Sequence, residues 1–290
     1  MRASGAAHLR RASALLAALV PALLASAVAA GTSRAQMLPG AQGAPRVYPA
    51  DSTAALAPFG PGERLVYKVK VGIFNAGEGE MAIPALDTVR GHDAYRISMT
   101  IRGGIPGARV NDAYSSWLDI RTLQSWRFIQ DIHEVNYKSF RHYEMLPDRR
   151  IWDRADNDES GPLASLTPLD DIAFIYFIRT LPLEVGRTFT FDRYFKAEGN
   201  PVTVTVLRRD RRKTEAGEFA TLVVQPTIQT RGLFQGGDAE IHFTDDARRI
   251  PVYVKSNIPK FPGSLTLHLK EIHAGVPLHP EARARAASRP

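Results

Sequence analysis

Twenty residues in the middle of the chain constrain its fold more than any other stretch. From Thr167 to Gly186 the sequence reads Thr-Pro-Leu-Asp-Asp-Ile-Ala-Phe-Ile-Tyr-Phe-Ile-Arg-Thr-Leu-Pro-Leu-Glu-Val-Gly. Thr167 can cap a first turn, Pro168 suits the first helical position, Asp170 completes a capping box, and Pro182 stops the run. These signals predict a helix from Pro168 to about Leu181. Ile172, Phe174, Ile175, Phe177 and Ile178 leave no polar stripe at helical spacing, so this helix has to be surrounded rather than laid on a surface. Burying those side chains contributes roughly 8 to 15 kcal/mol in total.

The flanking sequence supplies the wrapper. Leu65, Tyr67, Val69, Val71 and Ile73 alternate with Arg64, Lys68 and Lys70, and Tyr95, Ile97, Met99 and Ile101 alternate with Arg96, Ser98, Thr100 and Arg102. Asn75-Ala76-Gly77 and Arg90-Gly91-His92-Asp93 read as turns, with a return strand from Glu78 to Pro84, and Gly103 to Gly107 reads as a break. Further strands are expected over 112–119, 125–134, 136–145 and 150–153. Beyond the helix the pattern resumes at Phe189, Phe191 and Phe195, at Val202, Val204 and Val206, then over 219–230, 239–244 and 250–255, and at Leu265, Leu267 and Leu269. Roughly eleven or twelve strands and one helix predict a mainly β fold. The architecture that fits is a curved antiparallel sheet forming a partly or fully closed barrel-like shell around one buried apolar helix.

The ends carry different information. Arg2, Arg10 and Arg11 precede an uncharged, Ala- and Leu-rich run to Val28, the layout of a secretory signal peptide over residues 1–29. Residues 30–58 form an Ala-, Gly- and Pro-rich leader, residues 59–273 a single β-shell domain, and residues 274–290 a basic tail with Arg283, Arg285 and Arg289. Cysteine is absent, which removes disulfides, thiolate metal sites and the acceptor for bacterial lipidation. A periplasmic, non-lipidated protein is therefore expected. The formal charge of +7 falls to +4 once the signal arginines leave, too mild a balance to argue for nucleic acid.

Several segments in order resemble one family. Phe59-Gly60-Pro61-Gly62-Glu63-Arg64-Leu65-Val66-Tyr67, Ala76-Gly77-Glu78, Asp112-Ala113-Tyr114-Ser115-Ser116-Trp117-Leu118-Asp119 and the helix with Leu181-Pro182-Leu183-Glu184-Val185-Gly186 form the first part of the match. Glu215-Ala216-Gly217-Glu218-Phe219 and the stretch Thr244-Asp245-Asp246-Ala247-Arg248-Arg249-Ile250-Pro251-Val252 complete it. The sequence resembles the exported bacterial proteins of domain-of-unknown-function family 3108. That resemblance implies a mainly β envelope protein of Gram-negative type and carries over no catalytic residue.

The nucleophile elbow, the P-loop, the dinucleotide glycine fingerprint and the zinc-protease motif are all missing, so no cofactor and no catalytic residue is assigned. Asp156-Asn157-Asp158-Glu159-Ser160-Gly161 matches half of a calcium loop, but Thr167 stands where the bidentate Glu belongs, and a solvated hairpin loop explains it better. His133 and His142, with Glu134 or Glu144 nearby, lack a defined third ligand, and no metal site is assigned. Asp170 and Asp171 read as helix-start acids rather than a catalytic pair.

The leading reading is a non-enzymatic binding module for an apolar or lipid-like envelope ligand, with Tyr67, Tyr114, Trp117, Trp126, Phe128, Phe174 and Phe177 as cavity candidates. Arg208, Arg209, Arg211, Arg212 and Lys213 are candidates for peripheral membrane contact, against the plainer alternative of a solvated hairpin tip. A structural or protein-interaction component of the envelope, acting through loops such as 103–107 or 232–237, is nearly level. A hydrolase of envelope polymers using Asp112, Asp170 or Asp171 ranks third.

Overall fold

The computed structural model describes residue 54 and residues 57–105, 108–134, 137–228, 239–257 and 264–278. The expected signal segment, most of the leader, the loop at 232–237 and the tail beyond residue 278 lie outside the described residues.

Alternation of apolar and polar side chains builds the first half as a meander. It comprises β1 (Glu63–Val71), β2 (Phe74–Val89), β3 (His92–Ile105), β4 (Ala108–Asp119), β5 (Ser125–Glu134), β6 (Tyr137–Leu146), β7 (Ile151–Arg154) and β8 (Ser160–Pro162). After α1 (Asp171–Ile178) come β9 (Thr188–Phe191), β10 (Val202–Thr214), β11 (Gly217–Thr227), β12 (Glu240–Thr244), β13 (Pro251–Asn257) and β14 (Ser264–His273).

All pair antiparallel in one 14-stranded sheet, with β1 joined to β14 at its middle and β8 and β9 at its two edges. The helix thus connects the two edges, and the sheet closes only partly. No ladder joins β8 to β9. Instead Ala164 N donates to Phe195 O at 3.2 Å, Leu169 N to Arg193 O at 2.6 Å and Phe195 N to Leu169 O at 3.1 Å, spanning the seam with three bonds of irregular backbone.

The helix is shorter than predicted. Ser125 N donates to the Pro168 carbonyl at 2.7 Å, and Leu169 bridges Tyr194 in parallel, so both residues are spent on the sheet and the seam. Asp170 replaces Thr167 as N-cap, accepting from Ile172 N and Ala173 N at 3.0 and 2.9 Å. The last helical residue is Ile178, after which Arg179, Thr180 and Leu181 donate to Tyr176, Phe177 and Ile178 in one tighter turn. Every side chain from Ile172 to Ile178 is 3% exposed or less, as an all-round apolar helix requires.

Two glycine positions correct the strand boundaries. Gly72, at φ 59°, makes the β1–β2 turn with Ile73, which leaves the inward row and is 89% exposed; β2 accordingly starts at Phe74 instead of Glu78. Gly103 faces Gly77 across β2 and β3, and a Cβ on it would lie 2.2 Å from the Ala76 carbonyl oxygen. Glycine there lets two strands approach, so β3 continues through the expected break. Phe195, expected in a strand, lies in the seam segment after β9.

Candidate functional site

At the C-terminal end of α1 a buried charge is fully answered. Arg179, 3% exposed, forks onto Glu63, 4% exposed, with Nη1–Oε1 at 2.6 Å and Nη2–Oε2 at 2.8 Å. Its Nη2 also donates to the Arg248 carbonyl at 3.1 Å, and the guanidinium lies 5.1 and 5.3 Å from the ring centres of Phe59 and Tyr176. Arg179 follows the last helical residue, and Glu63 opens β1, so this pair ties the helix end to the first strand.

The N-terminal side of α1 is built differently. Asp170 also accepts from Ser116 Oγ at 2.6 Å, which anchors the helix start to the inner face of β4. Burial raises its pKa, against hydrogen bonds from Ala173, Ser116 and Ile172 that favour the carboxylate. Asp171 accepts from Tyr194 Oη at 3.2 Å, and burial, with the neighbouring Asp170 charge, lifts it to about 6. Lys196, in the segment after β9, is held over the rings of Trp152, Tyr143 and Phe195 at 4.5, 4.8 and 5.5 Å. That box pins the seam segment to β6 and β7.

Along β4 the residues in phase with Ser116 and Leu118 are Tyr114 and Asp112; along β5 those in phase with Phe128 and Ile132 are Gln130 and Glu134. The two polar rows meet on the inner face. The β4–β5 ladder pairs Val110 with Glu134 and Ala113 with Asp131 but lapses over Asn111 and Asp112, and there the Asp112 carboxylate accepts His133 N at 3.0 Å.

Asp112 is 4% and Glu134 7% exposed. Neither carboxylate oxygen of Glu134 has a hydrogen-bond partner among the described residues. Burial, reinforced by the Asp112 charge, pushes Glu134 up to about 8; burial lifts Asp112 to about 6. Tyr114 and Asp171 are deep enough that burial raises both, Tyr114 well above its usual value, yet both retain accessible surface. Across β5 and β6, Arg141 donates to Gln130 Oε1 at 3.4 Å and to Tyr137 Oη at 2.9 Å.

The structure separates the expected cavity residues into three groups. Tyr67, Phe128, Phe174 and Phe177 are packed in the main core at 0, 1, 0 and 2% exposure, where the helix fills the shell. Trp117 and Trp126 belong to a second small cluster with Val89 and Ala94; Trp117 is out of phase with Tyr114, and its indole donates to exposed Asp87. Tyr114, packed against the main core but only partly buried, is the most exposed of the seven.

The basic run is largely matched by acids. Arg208 pairs with Glu240, Arg209 with Asp245 and Arg211 with Glu218, at 3.1, 2.9 and 3.3 Å. Arg212 stacks 4.0 Å from the Tyr253 ring centre and contacts His242 Nε2 at 3.1 Å. Lys213 is exposed and has no carboxylate partner among the described residues.

The other motifs also resolve. In the calcium-like loop Arg154 stands where a cation would, pairing with Asp156 and, at 2.8 Å, with Glu159. His133 and His142 do not meet: they face Lys138 and Ile129 across the ladder and bond Asp131 and Glu144 respectively. In the sequence Glu134 stands out only as a neighbour of histidines; its phase with Phe128 and Ile132 is the signal that places it inward.

An open antiparallel β shell, plugged by a helix and lined with buried acids on one side, is the class these features define. The chain belongs to the family described as Protein of unknown function (DUF3108), whose model matches residues 66–270. No curated protein matches the sequence. Among solved structures, the chain is similar to a β-barrel-like protein of domain of unknown function DUF1849 from Brucella abortus, at 9% identity and TM-score 0.49, over 75% of this chain and 99% of that one. It is also similar to a candidate lipoprotein from Parabacteroides distasonis, at 10% identity and TM-score 0.34, over 74% and 97% of the two chains. A candidate exported protein with a YmcC-like fold from Bacteroides fragilis matches at 11% identity and TM-score 0.25, over 74% and 97%.

Proposed function

We propose that this is an exported, non-enzymatic binding module of the cell envelope, which takes an apolar or lipid-like ligand into the shell on the N-terminal side of α1. The observation that carries the reading is the surface retained by Tyr114 and Asp171, on the N-terminal side of the helix, beside a packed main core. The signal-like residues 1–29 support export, and the absence of cysteine argues against a lipid anchor. Of the three acids a hydrolase would use, Asp170 is 0% exposed and committed as the helix cap and Asp171 is bonded to the Tyr194 hydroxyl, which weighs against that reading.

Protein purified from its native periplasm should release lipid on organic extraction, detected by mass spectrometry. The stripped protein should enhance the fluorescence of N-phenyl-1-naphthylamine, and added lipid should displace the probe. Protein that carries no lipid and leaves the probe dark contradicts the proposal.

A further inference from the structure

The unpartnered Glu134 points to the polar end of that ligand. We infer that the inner face of β4 and β5 receives a protonated amine at the head of an otherwise apolar ligand, with Glu134 and Asp112 as its counter-ions and Tyr114 as an aromatic wall. This rests on the interior-binding reading above and specifies its chemistry.

A buried polar group without a partner calls for a missing one, because leaving it unpaired costs more than a hydrogen bond returns. Glu134 is 7% exposed, both its oxygens lack partners among the described residues, and Asp112 is the charged neighbour that acts on it. The two acids do not satisfy each other, since no hydrogen bond joins them. An anion is repelled by such a pair. A divalent metal ion needs more ligands than two carboxylates, and among the described residues no group of three or more His, Cys, Asp or Glu side chains could hold one. His133 is turned away to Asp131 at 2.9 Å.

An organic ammonium fits what remains. It presents three donors, enough for the two Glu134 oxygens that lack them and for Asp112 beside its bond from His133 N, and its charge is favoured by an aromatic face. Tyr114 supplies that face beside both acids, whose charges act on its phenol together with that of Asp171 and against that of Arg141. Arg141, the cation on the facing strand, is bonded to Gln130 and Tyr137. Ile101, paired with Asp112 across β3 and β4 and only partly buried, offers apolar surface for the rest of the molecule.

Since Glu134 holds its proton at neutral pH in the free protein, binding of an already protonated amine ionises it and releases a proton to solvent.

Calorimetric titration of the full mature chain with n-octylamine and with n-octanol at pH 7 tests the inference. The amine should bind about tenfold or more tighter than the alcohol. Its apparent enthalpy should change with the ionisation enthalpy of the buffer, reporting the released proton. Glu134→Gln, and separately Asp112→Asn, which keeps an acceptor for His133 N, should bring the amine down to the alcohol and leave the alcohol unchanged. Thermal unfolding of each variant verifies that it is folded. Equal binding of amine and alcohol, unaffected by either variant, overturns the ammonium assignment while leaving the interior-binding reading standing. Failure of both probes to bind overturns both.

Discussion

Two buried glutamates in one shell are treated in opposite ways. Glu63 meets a bidentate arginine, Arg179, whose guanidinium is itself held by the Arg248 carbonyl and lies over two aromatic rings, so the charge of Glu63 is built into the fold. Glu134 is nearly as buried and has no hydrogen-bond partner among the described residues. Desolvating a carboxylate is expensive: the fold answers that cost with an arginine at one end of its helix, while beyond the other Glu134 escapes it by holding its proton. The first is structure; the second is the acid we propose as counter-ion to an ammonium.

The contrast can be broken from either side. Arg179→Met should have the largest effect, about 3 to 5 kcal/mol of lost stability by urea unfolding, because Glu63 is left as an uncompensated buried charge. Adding Glu63→Gln to that variant should recover part of the loss, and a double variant no better than the single would show that the pair is not what holds the helix end. Asp170→Ala should cost about 2 to 3 kcal/mol, since Ile172 N, Ala173 N and the Ser116 hydroxyl lose one common acceptor. Stability unchanged in that variant would place the helix start elsewhere.

A smaller effect should appear in the pH dependence. Asp112 and Glu134 hold their protons more tightly in the folded chain, at about 6 and about 8, than in the unfolded chain, near 4. The stability they contribute is therefore complete below about pH 4 and is lost as pH rises toward 8, with a slope of at most about 1.4 kcal/mol per pH unit for each proton. Measured as the difference between wild type and Glu134→Gln, the decline between pH 6 and 8 should belong to the wild type alone. Parallel pH profiles would mean that Glu134 is not held protonated.

Much of this was legible in the sequence. The helix announced itself by having no polar side, the alternation of Leu65 to Val71 and Tyr95 to Ile101 gave the inward rows, and the position of the helix between two β halves implied the shell. Its start was misread because Thr167 and Pro168 are good capping residues locally, while Ser125 and Tyr194, distant in sequence, claim the backbone of Pro168 and Leu169 for the sheet and seam. Aromatic size marks what a core is made of and not where it stops; phase along the strand separates Tyr114 from Trp117. Glu134 could be placed inward by the same phase, but its lack of a partner is a property of three strands together that no single stretch contains.

The most direct measurement is the urea unfolding of Glu134→Gln at pH 8. If Glu134 is an acid kept for a ligand, the neutral isostere is at least as stable as the wild type. A loss of about 2 kcal/mol or more would make Glu134 a support of the fold, like Glu63, and would contradict the account.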